Sequence, residues 1–130
     1  MLKVFVYGTL KPKGKYYVQY CQGKTITEIY GWTRGKLFNL PLGYPAMTSG
    51  DDRVYGYLLS FASEEELIPL DELEGYTGIL NSPLNDYDRF KITVYNPDNS
   101  PLDEAWAYFM NEKKVQQLNG VYIPSGWWTS

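Results

Sequence analysis

Histidine is absent from this chain and cysteine occurs once. The first absence removes Ser-His-Asp and Cys-His catalysis and every imidazole metal site. The second leaves Cys21 without a disulfide partner or a second thiol for zinc. With no imidazole nearby to lower its pKa, Cys21 reads as a small packing residue before it reads as a reactive thiol. Long apolar runs are also missing: nothing approaches the ~18 residues of a membrane-spanning helix. Met1-Leu2-Lys3-Val4-Phe5 has neither the apolar stretch nor the small-residue cleavage site of a leader. A cytoplasmic protein with no membrane partner is the expectation. Basic residues do not dominate, since 12 Lys and Arg against 15 Asp and Glu give a formal net charge of −3. Nucleic-acid affinity comes largely from Lys and Arg neutralising phosphates, so no nucleic-acid partner is expected. Small neutral or zwitterionic substrates fit better.

What is present points to one β-rich domain spanning residues 1–130, with 44% apolar residues to fill a single core. Aromatics make up 17% of the chain, 13 of them tyrosines, and rings pack well on pleated surfaces. The stretch that organises the rest is Val4-Phe5-Val6-Tyr7-Gly8-Thr9-Leu10-Lys11. An apolar strand there holds its own end rigidly, and the Tyr-Gly-Thr turn leaves backbone N–H groups without ladder partners, free to hold an anion. An ordinary strand and turn is the competing reading. Lys11, Lys13 and Lys15 read either as a solvated cluster or as an attraction for a carboxylate-bearing ligand.

Further along, Tyr16 to Cys21 reads as a short helix, and Thr25 to Leu40 as one or two twisted strands with Gly31 and Gly35 at bends or close approaches. The prolines and glycine of Phe38 to Ala46 forbid regular structure, Ser49 to Asp52 is a turn, and Val54 to Phe61 is a central strand. Ser63-Glu64-Glu65-Glu66 matches a capping box, so a helix starts there, with a kink or restart expected at Pro69 and Gly75 as its C-cap. That leaves Glu74 at a helix end, where the dipole does not favour a negative charge. Tyr76 to Asp86 is a long polar loop. Phe90 to Tyr95 and Glu104 to Met110 form a hairpin across the turn Asn96 to Pro101.

Five of these segments, in order, resemble the γ-glutamylcyclotransferase-like superfamily, which includes the γ-glutamylamine cyclotransferases and AIG2-like proteins. Tyr7-Gly8-Thr9-Leu10 is similar to its Tyr-Gly-Ser/Thr-Leu loop, and Gly43-Tyr44-Pro45-Ala46 to its Gly-Tyr-Pro-Ala stretch. Leu70-Asp71-Glu72-Leu73-Glu74-Gly75 resembles the Leu-Asp-x-x-Glu-Gly motif, Tyr87-Asp88-Arg89 the Tyr-x-Arg pair, and Trp127-Trp128 after Gly126 the Gly-x-Trp ending. Ala105-Trp106-Ala107-Tyr108 also looks like the family.

The resemblance implies an α+β, β-rich fold: a small, mostly antiparallel β-barrel with short flanking helices. It implies intramolecular aminolysis of a γ-glutamyl amine or peptide, releasing 5-oxoproline and the free amine, with Glu74 as general acid and base. Backbone N–H groups at Tyr7, Gly8, Thr9 and Leu10 would hold the substrate α-carboxylate, and Tyr44, Tyr87 and Arg89 would wall or support the pocket. Arg89 reads first as a structural ion-pair partner. No metal and no cofactor is called for. A non-catalytic γ-glutamyl or carboxylate binder of the same fold, and an enzyme using Glu74 on a different amide, are the alternatives. The sequence leaves the oligomeric state open.

Overall fold

The computed structural model describes residues 1–129. Its strands are β1 (Leu2–Val6), β2 (Thr25–Asn39), β3 (Pro45–Phe61), β4 (Asp88–Tyr95), β5 (Pro101–Phe109) and β6 (Val121–Tyr122). Its helices are α1 (Tyr17–Tyr20), α2 (Leu67–Leu73) and α3 (Glu112–Gln117). Hydrogen bonding orders the strands β3-β1-β5-β4-β2-β6, and β2 also pairs with β3, so all but β6 close into a ring. The pairings are antiparallel except that of β1 with β5. This is the β-rich α+β architecture expected from the sequence. No helix among the described residues is long and apolar enough to cross a membrane.

The apolar run of β1 has a direct cause: the strand is buried on both faces. Leu2, Val4 and Val6 pack in the cluster that includes Leu70 from α2, Cys21 after α1 and Val115 from α3. Phe5, with Tyr7 just beyond the strand, joins Leu37, Met47, Val54, Leu58 and Phe109 inside the ring. A strand covered on both sides has no polar face to alternate with. The ring closes at two narrow seams, Val4 opposite Trp106 and Trp32 opposite Tyr95, the latter with its rings stacked 4.5 Å apart. Buried Cys21 contributes packing, and burial pushes its thiol up to about 12.

Several boundaries differ from the sequence reading. Thr25 to Asn39 is one strand, and its register shifts at Gly35/Lys36. The irregular connection is confined to 40–44, and β3 starts at Pro45, whose missing N–H costs nothing at a first strand residue. Ser49 to Asp52 is no turn between strands. The register passes from Lys36 opposite Thr48 to Gly35 opposite Asp52, so Ser49, Gly50 and Asp51 bulge within a continuous strand. The helix restart also lies elsewhere. Ser63 caps a 3₁₀ turn at Glu64–Glu66 by accepting the Glu65 N–H, not that of Glu66, and α2 begins at Leu67. Pro69 then sits in the first turn of α2, where its missing donor would have had no intrahelical partner. Helix α3 and strand β6 carried no signal that was read from the sequence.

Candidate active site

One cavity of about 180 Å³ opens where β1 ends, and it is lined by Tyr7, Gly8, Thr9 and Leu10 together with Glu74. The loop is folded by its own backbone. Lys11 N–H donates to Gly8 O at 3.1 Å and Tyr16 N–H to Thr9 O at 2.9 Å. The N–H groups of Gly8, Thr9 and Leu10 have no acceptor among the described residues. Glycine is required here by proximity: a Cβ at position 8 would lie 2.7 Å from Pro45 Cγ. The pyrrolidine ring thus presses the turn into place from behind. Three donors without partners beside a cavity are the hallmarks of an anion-binding concavity.

Glu74 reaches the same cavity because α2 ends abruptly. Tyr76 N–H donates to Asp71 O at 2.9 Å and Gly75 N–H to Glu72 O at 3.2 Å, with Gly75 at φ +66°. This is a Schellman stop, and its left-handed residue suits glycine. Glu74 is the C-cap of α2, so its carboxylate sits at the helix end, part-buried, with no hydrogen-bond donor from the described residues. Burial raises the carboxyl to about 7, and the charges of Asp71 and then Asp86 add to the shift.

The rest of the wall is aromatic. Tyr16, Tyr44, Tyr87 and Tyr108 line it, with Pro45, Leu73 and Asp86. Tyr87 donates its hydroxyl to Pro45 O at 2.7 Å, and Tyr7 donates to Tyr108 O at 2.6 Å while accepting the Met47 N–H. Burial holds the hydroxyls of Tyr7, Tyr87 and Tyr108 far above the ordinary phenol range, so they remain protonated donors. Arg89 does not line the cavity. It binds both oxygens of Asp71 at 3.2 and 3.0 Å, Asp71 accepts the Tyr108 hydroxyl at 2.6 Å, and the guanidinium lies over the rings of Tyr76 and Trp106. Asp71 is thereby fixed, and with it the helix that carries Glu74.

The structure brings the expected Glu74, Tyr7, Gly8, Thr9, Leu10, Tyr44 and Tyr87 to one cavity, and leaves Arg89 behind it as a support. Sequence reasoning missed Tyr16, Asp86 and Tyr108 as wall residues. Asp86 and Tyr108 lie in or beside segments that had been singled out for other reasons, whereas Tyr16 carried no local signal. Among the described residues no group of three or more His, Cys, Asp and Glu is arranged to hold a metal ion.

The family described as gamma-glutamyl cyclotransferase, AIG2-like, matches residues 4–130. None of the curated proteins compared matches the chain. Among solved structures, YkqA from Bacillus subtilis is 26% identical with a TM-score of 0.67, covering 98% of this chain but only 39% of its own. An AIG2-like protein from Mus musculus is 19% identical with a TM-score of 0.69, covering 99% of this chain and 88% of its own. A gamma-glutamyl cyclotransferase is 15% identical with a TM-score of 0.63, covering 94% of this chain and 68% of its own. The last two likenesses are of fold. With the family pattern spanning nearly the whole chain, the protein belongs to the gamma-glutamyl cyclotransferase, AIG2-like family.

Proposed function

We propose that this protein cyclises a γ-glutamyl amine or peptide, releasing 5-oxoproline and the free amine. The observation that carries the reading is the meeting, in one cavity, of loop N–H groups without partners and a carboxyl raised to about 7. The N–H groups of Gly8, Thr9 and Leu10 take the substrate α-carboxylate. Held by that end, the flexible glutamyl chain folds so that its α-nitrogen faces its own γ-carbonyl, and orientation of this kind removes much of the entropic barrier. The α-nitrogen arrives as an ammonium. Glu74 accepts a proton from it, the freed amine attacks the γ-carbonyl carbon, and the bond from that carbon to the departing nitrogen breaks as Glu74 returns the proton to that nitrogen and the carbonyl re-forms. The ring nitrogen then gives up its second proton by way of the same carboxylate, leaving the neutral lactam and the amine as its ammonium. A carboxyl near 7 is better matched to an ammonium than one at the ordinary value of 4.5. The steps as written use no metal or cofactor.

The test is 5-oxoproline release, followed by mass spectrometry, from γ-glutamyl amino acids, ε-(γ-glutamyl)lysine, a γ-glutamyl alkylamine and glutathione. Release that falls by about 10²-fold or more in Glu74→Gln supports the reading. Ligand binding without release from any compound overturns it and makes the protein a binder.

A further inference from the structure

Of the three lysines in the opening loop, Lys13 and Lys15 are exposed but Lys11 is only 6% exposed. An ammonium is rarely buried without a carboxylate. No carboxylate among the described residues forms an ion pair with this one. Its contacts among the described residues are a carbonyl and two indole rings. Nζ donates to the Trp128 carbonyl at 2.6 Å and lies 3.3 Å from the centre of the Trp127 ring and 5.9 Å from that of Trp128. Burial pushes the ammonium down to about 8.

A closed circuit of contacts ties that charge to the loop. Lys11 N–H donates to Gly8 O, and Gly8 lies against Pro45. Pro45 pairs with Asn39 across β2 and β3, and Asn39 accepts the Trp128 indole N–H at 2.9 Å. The Trp128 carbonyl then accepts Lys11 Nζ, which closes the circuit. The cavity wall itself contains Glu74 and Asp86 and no lysine or arginine. An entering carboxylate therefore meets like charges at the wall, where that of Asp86 is offset by Lys114 Nζ at 3.2 Å and the loop N–H groups supply partial positive charge.

We infer that Lys11 is the fixed positive charge behind the carboxylate cradle, held in place by the C-terminal Trp127-Trp128 segment, and that it makes binding depend on a free α-carboxylate. The inference rests on the loop of Tyr7 to Leu10 being that cradle. Lys11 is a positioning residue, acting on the anion through space and through the loop it pins. Its loss raises KM and leaves kcat nearly unchanged.

Calorimetry with two probes of one shape, 5-oxoproline and 5-oxoprolinamide, tests this. Wild type is expected to favour the carboxylate, and Lys11→Met to lose about tenfold for 5-oxoproline with little change for the amide. Lys11→Arg restores most of the carboxylate affinity. Equal loss for both probes means a structural clamp only and overturns the inference, as does a wild type that binds neither. Should Lys11→Met not fold, a pH series in the Glu74→Gln background, which removes titration of Glu74, reads the same charge. Carboxylate preference then falls as pH rises through about 8, while amide binding stays flat; a flat preference overturns the inference. Failure of every γ-glutamyl compound to release 5-oxoproline, with carboxylate preference still dependent on Lys11, sinks the catalytic reading and not this one.

Discussion

Glu74 is held where three influences oppose its ionisation: burial, the charge of Asp71 one helical turn earlier, and the charge of Asp86, whose side chain packs against Gly75. The helix end adds a fourth of the same sign, because unsatisfied carbonyls make that pole negative. The consequence is a pH profile. With Glu74 as the base, kcat/KM rises with pH through about 7 as the carboxyl ionises. Asp86→Asn removes a negative neighbour, so Glu74 ionises more readily and the acid limb moves to lower pH, modestly because the Asp86 side chain is exposed and paired with Lys114. Initial rates of 5-oxoproline release from pH 5 to 9 check both. A limb unmoved by Asp86→Asn, or one near the ordinary carboxyl value, would detach the profile from this carboxyl.

At the scale of elements, the segment between Gly75 and β4 is a loop tied to itself. Asn85, only 8% exposed, accepts the Thr77 N–H at 2.8 Å and donates to Ile79 O and to the Asp88 carboxylate, each at 2.8 Å. Asp88 also takes the Asn81 N–H at 3.0 Å, and Asp86 N–H returns to Gly75 O at 2.9 Å. Replacing Asn85 with Ala removes its three side-chain bonds to Thr77, Ile79 and Asp88 together, and the expected cost is about 2 kcal/mol by urea unfolding. Faster hydrogen exchange at Thr77 and a weakened cavity wall at Asp86 and Tyr87 should accompany it; full protection at Thr77 would mean that the backbone bonds hold the loop unaided. This loop shows where sequence reasoning stops. Gly75 as the helix stop and Glu74 before it were legible, because a left-handed cap has a residue preference. The strand β1 was legible for the same kind of reason, since two buried faces leave a continuous apolar run. The role of Asn85 was not, because its partners are set by a loop conformation with no period. Strand β3 was misread where Ser49 to Asp51 imitate a turn, and β2 supplies the pairing that keeps them inside a strand. Lys11 looked like Lys13 and Lys15, and only the return of the chain at Trp127 and Trp128 separates it from them.

For the whole molecule, the candidate site is a local loss of stability that the closed ring tolerates. Glu74 binds its proton more tightly folded than unfolded, with about 7 against an ordinary 4.5. A group raised in this way contributes stability that is full below the lower value and lost as pH rises through the upper one. At pH 8 the folded protein therefore carries an ionised, part-buried carboxylate beside two others. Glu74→Gln keeps the shape and cannot ionise, so at pH 8 it should be more stable than wild type by about 2 kcal/mol, a value discounted for the solvent the carboxyl still reaches. The advantage shrinks between pH 7 and 4.5 and is nearly gone below that window, where wild type is protonated too. Thermal unfolding of the two proteins at pH 4.5, 6 and 8 measures it. A variant that is more stable at pH 8 and inactive there would identify Glu74 as a residue kept for chemistry at the expense of the fold. A variant less stable at pH 8 would mean that its carboxylate is satisfied in the folded protein, and the raised carboxyl on which the catalytic reading rests would have to be given up.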